Sequence, residues 1–379
     1  MNNTARRDAD LIGKSGSRYR ITTPALVLDL DRLEANIAKM QAFCRDRQIG
    51  LRPHAKSNKC IAIAQAQIEA GALGICCATL GEAEILAGAG IVGVMITSPV
   101  VGDRKIARLS SLNRHSQDLM VVVDNPNNIR RLNEAAQESG EALRVLIDLD
   151  VGQRRTGATS PAAAMALAQD IADASHLSCA GVQAYAGHLQ HVAGYDERRS
   201  AAREAVGGLH DVISALTEGG FPPDIVTGVG TGTYDIDPAA NVYTEIQPGS
   251  YVFMDVEYAD PNLWRDARVP FDGALFVQTT VLSVNIAGQA TTDGGLKAFA
   301  TDGPVPIPTS GVPAGASYKF TGDEFGCVEL PGSARLELGG VVECMVPHCD
   351  PTVNLYDRYH CVRGDVLVDI WTIDCRGRY

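Results

Sequence analysis

At 379 residues the chain is long for one domain and suits two, and 45% hydrophobic against 21% charged residues leaves room for a sizeable core. A formal net charge of −12 argues against non-specific nucleic-acid binding, and no apolar run approaches the ~20 residues of a membrane helix. The ten cysteines have irregular spacing and no C-x-x-C pair. Most of them read as reduced, buried thiols, and with no export signal the expected compartment is the cytoplasm.

Residues 1–22 are polar and read as a flexible or loosely docked leader. Ala25–Leu30 has the apolar content of a strand. Asp31 then reads as a helix cap, with Glu34 completing a capping box and Leu33, Ile37, Met40 and Cys44 on one face. A strand over Leu51–Lys56 leads into a helix over Ile61–Ala70. Further strand-like runs follow at Gly74–Leu80, Val92–Thr97, Leu119–Asp124, Leu143–Asp150, Ala180–Ala186, Ile225–Gly228 and Glu245–Gln247. Helical segments over Pro126–Ser139, Ala162–Ala174 and Arg198–Glu218 lie between several of them. This alternation predicts a (β/α)8 TIM-like barrel over residues 23–260, with a doubly wound sheet as the alternative. Beyond Pro261 helical periodicity disappears. Ala274–Asn285, Leu336–Val346, Arg358–Cys361 and Val366–Thr372 predict a mainly antiparallel β domain over residues 261–379.

Four segments carry chemistry. Arg52-Pro53-His54-Ala55-Lys56 closes a predicted barrel strand, where the C-terminal end faces the active site, and a lysine there can serve as a nucleophilic amine. Gly228-Val229-Gly230-Thr231-Gly232-Thr233 offers backbone N–H groups and hydroxyls suited to one phosphate, although a simple loop is the blander alternative. Tyr185-Ala186-Gly187-His188-Leu189-Gln190-His191 supplies two histidines that suit a base and its orienting partner, or hydrogen-bonded loop residues. In Pro347-His348-Cys349-Asp350, an extended backbone would project His348 and Asp350 to one side, as a two-donor site for an exchangeable divalent cation, and Cys349 to the other.

From about Thr23 to the C-terminus, TPALVLDLDRLEANI, LRPHAKSNK, GICCATLGEAE, DLDVGQRRTGA, GVQAYAGHLQH, TGVGTGTYD, YTEIQPGSYVFMD and HCDPTVNLYD resemble the D-threonine aldolase and D-serine dehydratase family. That family belongs to the fold-type III pyridoxal 5'-phosphate (PLP) enzymes related to alanine racemase. The resemblance implies that Lys56 holds PLP, that Arg155 and Tyr185 lie beside the cofactor or substrate, and that Gly230, Thr231 and Gly232 bind its phosphate with Tyr251 nearby. It further implies His191 as the base and His348 with Asp350 as ligands of Mn²⁺ or Mg²⁺. The His-x-Asp spacing, in place of the His-x-Cys of the dehydratases, points to an aldolase.

The expected reaction is retro-aldol cleavage of a D-β-hydroxy-amino acid such as D-threonine. The alternatives are a 3-hydroxyaspartate aldolase, a dehydratase, or a PLP-binding protein without catalysis. A homodimer is expected by analogy. Three segments depart from the family pattern: Ala78-Thr79 replace its Gln-Lys, Val229 replaces a glycine, and Phe325 stands where the aldolases usually place histidine.

Overall fold

The computed structural model describes residues 8–379, apart from the side chain of His191. In chain order the elements are β1 (Ala25–Asp29), α1 (Leu30–Asp46), β2 (Gly50–Leu51), α2 (Ile61–Glu69), β3 (Cys76–Cys77), α3 (Leu80–Gly88), β4 (Met95–Ile96), α4 (Asp103–Asn113), β5 (Met120–Val123), α5 (Pro126–Ser139), β6 (Leu143–Asp148), α6 (Pro161–Ala172), β7 (Leu177–Ala184), α7 (Tyr195–Glu218), β8 (Ile225–Gly228) and β9 (Glu245–Ile246). There follow β10 (Leu275–Ser283), β11 (Gln289–Thr292), β12 (Ile307–Ser310), β13 (Ser317–Phe320), β14 (Gly326–Glu329), β15 (Val341–Met345), α8 (Cys349–Val353), β16 (Arg358–Arg363) and β17 (Val366–Thr372).

Eight strands form a parallel sheet in the order β2-β9-β8-β7-β6-β5-β4-β3. A parallel bridge between His54 and Cys76 joins its two ends and closes the (β/α)8 barrel. Most strand residues are apolar and buried because helices cover the outer face, so the strands read as hydrophobic runs rather than alternating ones. Across the seam, Arg52 makes a bidentate, buried pair with Glu245, at 2.8 and 2.9 Å. The second sheet has nine strands, and all its pairings are antiparallel except β1 with β16.

Three expectations change. The strand expected to open the barrel, β1, lies instead in the second sheet between β10 and β16. A strand apolar from Ala25 to Leu28 is acceptable to any sheet interior, so its sequence does not choose. Helix α1 is capped by Asp29, which accepts from the Arg32 N–H, rather than by Asp31. Asp31 and Glu34 instead bind Arg363 on β16. Within residues 8–22 the leader is docked: Arg18 is buried, paired with Glu343 at 2.7 Å and Asp29 at 3.3 Å.

Candidate active site

A cavity of about 250 Å³ opens at the C-terminal ends of the barrel strands. Lys56 projects into it from the short turn Ala55–Ser57 that follows β2. Its Nζ lies 3.3 Å from Asp350 Oδ1, so α8, which follows β15 of the second sheet, meets the barrel lysine directly. Asp350 holds the Lys56 ammonium above its ordinary pKa, against the opposing effect of burial. Although burial alone would raise Asp350, Lys56 and His348 keep its carboxyl below the usual carboxylate range. The pair is therefore charged.

His348 Nε2 stands 3.8 Å from Asp350 Oδ2, and His348 Nδ1 donates to Asp302 at 2.8 Å. The two side chains meet, but not by strand alternation: His348 is the extended cap of α8, and Asp350 belongs to its first turn. The helical turn also brings Cys349 back under the site. Its thiol donates to Asp350 Oδ2 at 3.3 Å instead of pointing away. Burial, reinforced by Asp255 and Asp350, pushes that thiol well above its usual pKa, so it stays protonated.

The loop after β6 carries Arg155. Asp148 accepts from Thr156 Oγ1 at 2.6 Å, Asp124 accepts from the Gly157 N–H, and Asp150 takes the N–H groups of Gly152 and Arg154. These bonds fix the loop so that the Arg155 guanidinium lies 5.8 Å from the centre of the Tyr185 ring, with both residues lining the cavity. Gly230 and Thr231 line it from the loop after β8. Gly232 follows, its N–H donating to Gln190 Oε1 at 2.7 Å. Tyr251 does not line the cavity, although Ser250 before it does. Its ring is fully buried, and its hydroxyl accepts from Gln67. Residues Gly187–His191 form a short turn beside this loop, and the side chain of His191 lies outside the described residues.

The donors suit PLP. Thr231 Oγ1 is buried without a hydrogen-bond partner, as a hydroxyl waiting for a phosphate oxygen would be, and Lys56 supplies an amine to the same cavity. One imidazole nitrogen and one carboxylate oxygen also suit a weakly held divalent cation, although no cluster of three such side chains occurs among the described residues.

Against known proteins, residues 28–257 match the alanine racemase N-terminal domain, and residues 274–362 match a putative serine dehydratase domain. The chain is 41% identical over 360 residues to a D-threonine aldolase from Arthrobacter sp., covering 94% of this chain and 93% of that one. It belongs to the D-threonine aldolase and D-serine dehydratase family of fold-type III PLP enzymes. It is a lyase. Another relative in this family, a 3-hydroxy-D-aspartate aldolase from Paracoccus denitrificans strain Pd 1222, is 34% identical over 94% of this chain and 93% of its own. The crystal structure of D-threonine aldolase from Filomicrobium marinum superposes with a TM-score of 0.90 at 37% identity, covering 94% of this chain and 96% of that chain.

Two departures from the family pattern fall at the site. Ala78 lines the cavity, and Val229 adopts a φ of 68° in the loop after β8, a conformation that favours glycine. Phe325, by contrast, is an exposed residue next to β14. The sequence reading gave His54 no role of its own and missed Thr97, Gln183, Gln247 and Tyr258, all of which line the cavity. Gln183 and Gln247 sit at the ends of barrel strands, which was the available signal.

Proposed function

We propose that this enzyme cleaves D-β-hydroxy-amino acids by a PLP- and divalent-metal-dependent retro-aldol reaction, converting D-threonine to glycine and acetaldehyde. The contact between Lys56 and Asp350, with His348 beside it, carries this reading: it places the amine that would hold PLP next to the pair that would hold the cation. The likeness to D-threonine aldolases across nearly the whole chain supports the same choice.

Bound PLP supplies an electron sink for breaking the Cα–Cβ bond. A cation on His348 and Asp350 would supply Lewis-acid polarisation of the β-hydroxyl. The chain's own residues do the rest. Lys56 would give the amine that holds PLP, and it stands at the cavity wall. Thr231 with the Gly230 and Gly232 loop orients the phosphate end, and Arg155 with Tyr185 borders the ring. His191 takes the β-hydroxyl proton, which would otherwise stay on the oxygen that must become a carbonyl. The Asp302 carboxylate accepts the Nδ1–H of His348, which would leave Nε2 as the nitrogen offered to a cation beside Asp350.

The test is product analysis with D-threonine, PLP and Mn²⁺, with and without EDTA. Acetaldehyde and glycine, lost on chelation, support the aldolase. 2-Oxobutyrate and ammonia would make the enzyme a dehydratase instead. Turnover of 3-hydroxyaspartate in preference to D-threonine would reassign the substrate, as the Paracoccus relative invites. We further propose a homodimer, to be tested by sedimentation equilibrium.

A further inference from the structure

The turn that presents Lys56 is built on a histidine. His54 is the last barrel residue before it, and its backbone makes the bridge to Cys76 that closes the seam. The His54 side chain folds forward over its own turn: Nδ1 accepts the Lys56 backbone N–H at 3.2 Å. An accepting Nδ1 leaves the ring proton on Nε2, and Nε2 faces Thr97 Oγ1 at 3.1 Å. The Thr97 hydroxyl in turn donates to the Cys77 carbonyl at 3.1 Å. Each group has one available role, and the directions agree from end to end: Lys56 N–H to His54, His54 to Thr97, Thr97 to Cys77. Such a chain holds the imidazole in one tautomer and one rotamer.

The His54 ring also lines the cavity. Burial, with Lys56 adding to it, lowers its pKa to about 3, so no positive imidazolium stands beside the Lys56 amine. Other charged groups act on it from Asp350 on α8, Lys59, and Arg155 on the loop after β6. A lysine side chain carries four rotatable bonds, so the direction in which it enters a cavity depends on how firmly its backbone is held.

We propose that His54 is the positioning residue for Lys56: its neutral imidazole, held by Thr97, caps the Ala55–Ser57 turn and aims the lysine at the cofactor carbonyl. This rests on Lys56 being the residue that holds PLP.

The test is reconstitution of the full-length apoprotein with PLP. The rate of covalent attachment is followed by absorbance, then trapped with borohydride and located by mass spectrometry. H54L keeps the volume and removes both hydrogen bonds. It should slow attachment by about three- to tenfold, the worth of roughly one neutral hydrogen bond. H54N places its amide oxygen where Nδ1 lies, keeps the turn capped, and should stay within about threefold of the wild type. H54Q reaches toward Thr97 but not back to the Lys56 N–H, and should behave like H54L. Attachment by H54L at the wild-type rate overturns the proposal. If H54L fails to fold, the Asn and Gln variants decide: recovery by Gln and not by Asn overturns it. A borohydride label away from Lys56 in the wild-type protein sinks the Lys56 assignment instead, whatever the His54 variants do.

Discussion

Lys56 is the only lysine among the described residues that line the cavity, so Lys56→Ala should abolish the visible absorbance of bound PLP and all turnover. An unchanged spectrum would remove it from the role. Asp350→Ala separates the two cofactors. PLP should remain bound, because Asp350 reaches only the amine side of the site, while Mn²⁺ affinity should fall by at least about tenfold, as is typical even for residues one step removed from a metal. Electron paramagnetic titration of Mn²⁺ reads this without turnover, and unchanged affinity would exclude Asp350 as a donor. Val229 shows two effects in opposition. A φ of 68° costs a branched residue about 1–2 kcal/mol, and full burial returns about 1.5–3 kcal/mol. Val229→Gly should therefore change the urea unfolding free energy by only about 1 kcal/mol. A loss above about 3 kcal/mol would mean that packing alone governs the position.

Among the elements, α1 distinguishes two aspartates that look alike in sequence. Asp29 caps the helix and also meets Arg18, whereas Asp31 makes exposed contacts. Asp29→Ala should cost about 1–3 kcal/mol and Asp31→Ala less than about 0.5 kcal/mol, read as shifts in the denaturation midpoint. The barrel seam rests on the buried Arg52–Glu245 pair. Removing one partner leaves an uncompensated buried charge, so Arg52→Met should cost about 3–5 kcal/mol, and Arg52→Met with Glu245→Leu considerably less. Both single and double variants losing the same amount would mean that the pair contributes only as packing volume.

For the molecule as a whole, Asp237 gives stability a pH dependence. The residue is buried just after the loop that follows β8, and desolvation lifts its pKa to about 7 against a hydrogen bond from Thr233. Its ionised form is disfavoured in the fold. The resulting penalty is absent below the unfolded carboxyl value near 4, and it grows as pH rises toward 7. The melting temperature should fall across that window, and Asp237→Asn should flatten the fall. Calorimetry at constant ionic strength checks it, and an identical slope in the variant would exclude Asp237 as the source.

Much of this molecule can be read from its residues because barrel strands and their helices leave local patterns. Ile225–Gly228 and Val366–Thr372 have the bounds that the apolar runs predict, and α1 buries Leu33, Ile37, Met40 and Cys44 as periodicity requires. Lys56, Arg155, Tyr185, Gly230 and Thr231 likewise gather at one cavity, because all follow barrel strands and a parallel barrel gathers its strand ends on one face. Tyr251, which follows β9 in the chain, falls instead into the core, since nothing local distinguishes a ring that faces a cavity from one that faces Phe271.

The sequence by itself determined the two architectures, the family and the chemical types at the site. Only the tertiary structure decided that β1 joins the second sheet, that α8 delivers Asp350 to Lys56, and that His54 caps the turn beneath it. Those contacts join segments distant in the chain, and periodicity and spacing report only what a residue's near neighbours impose.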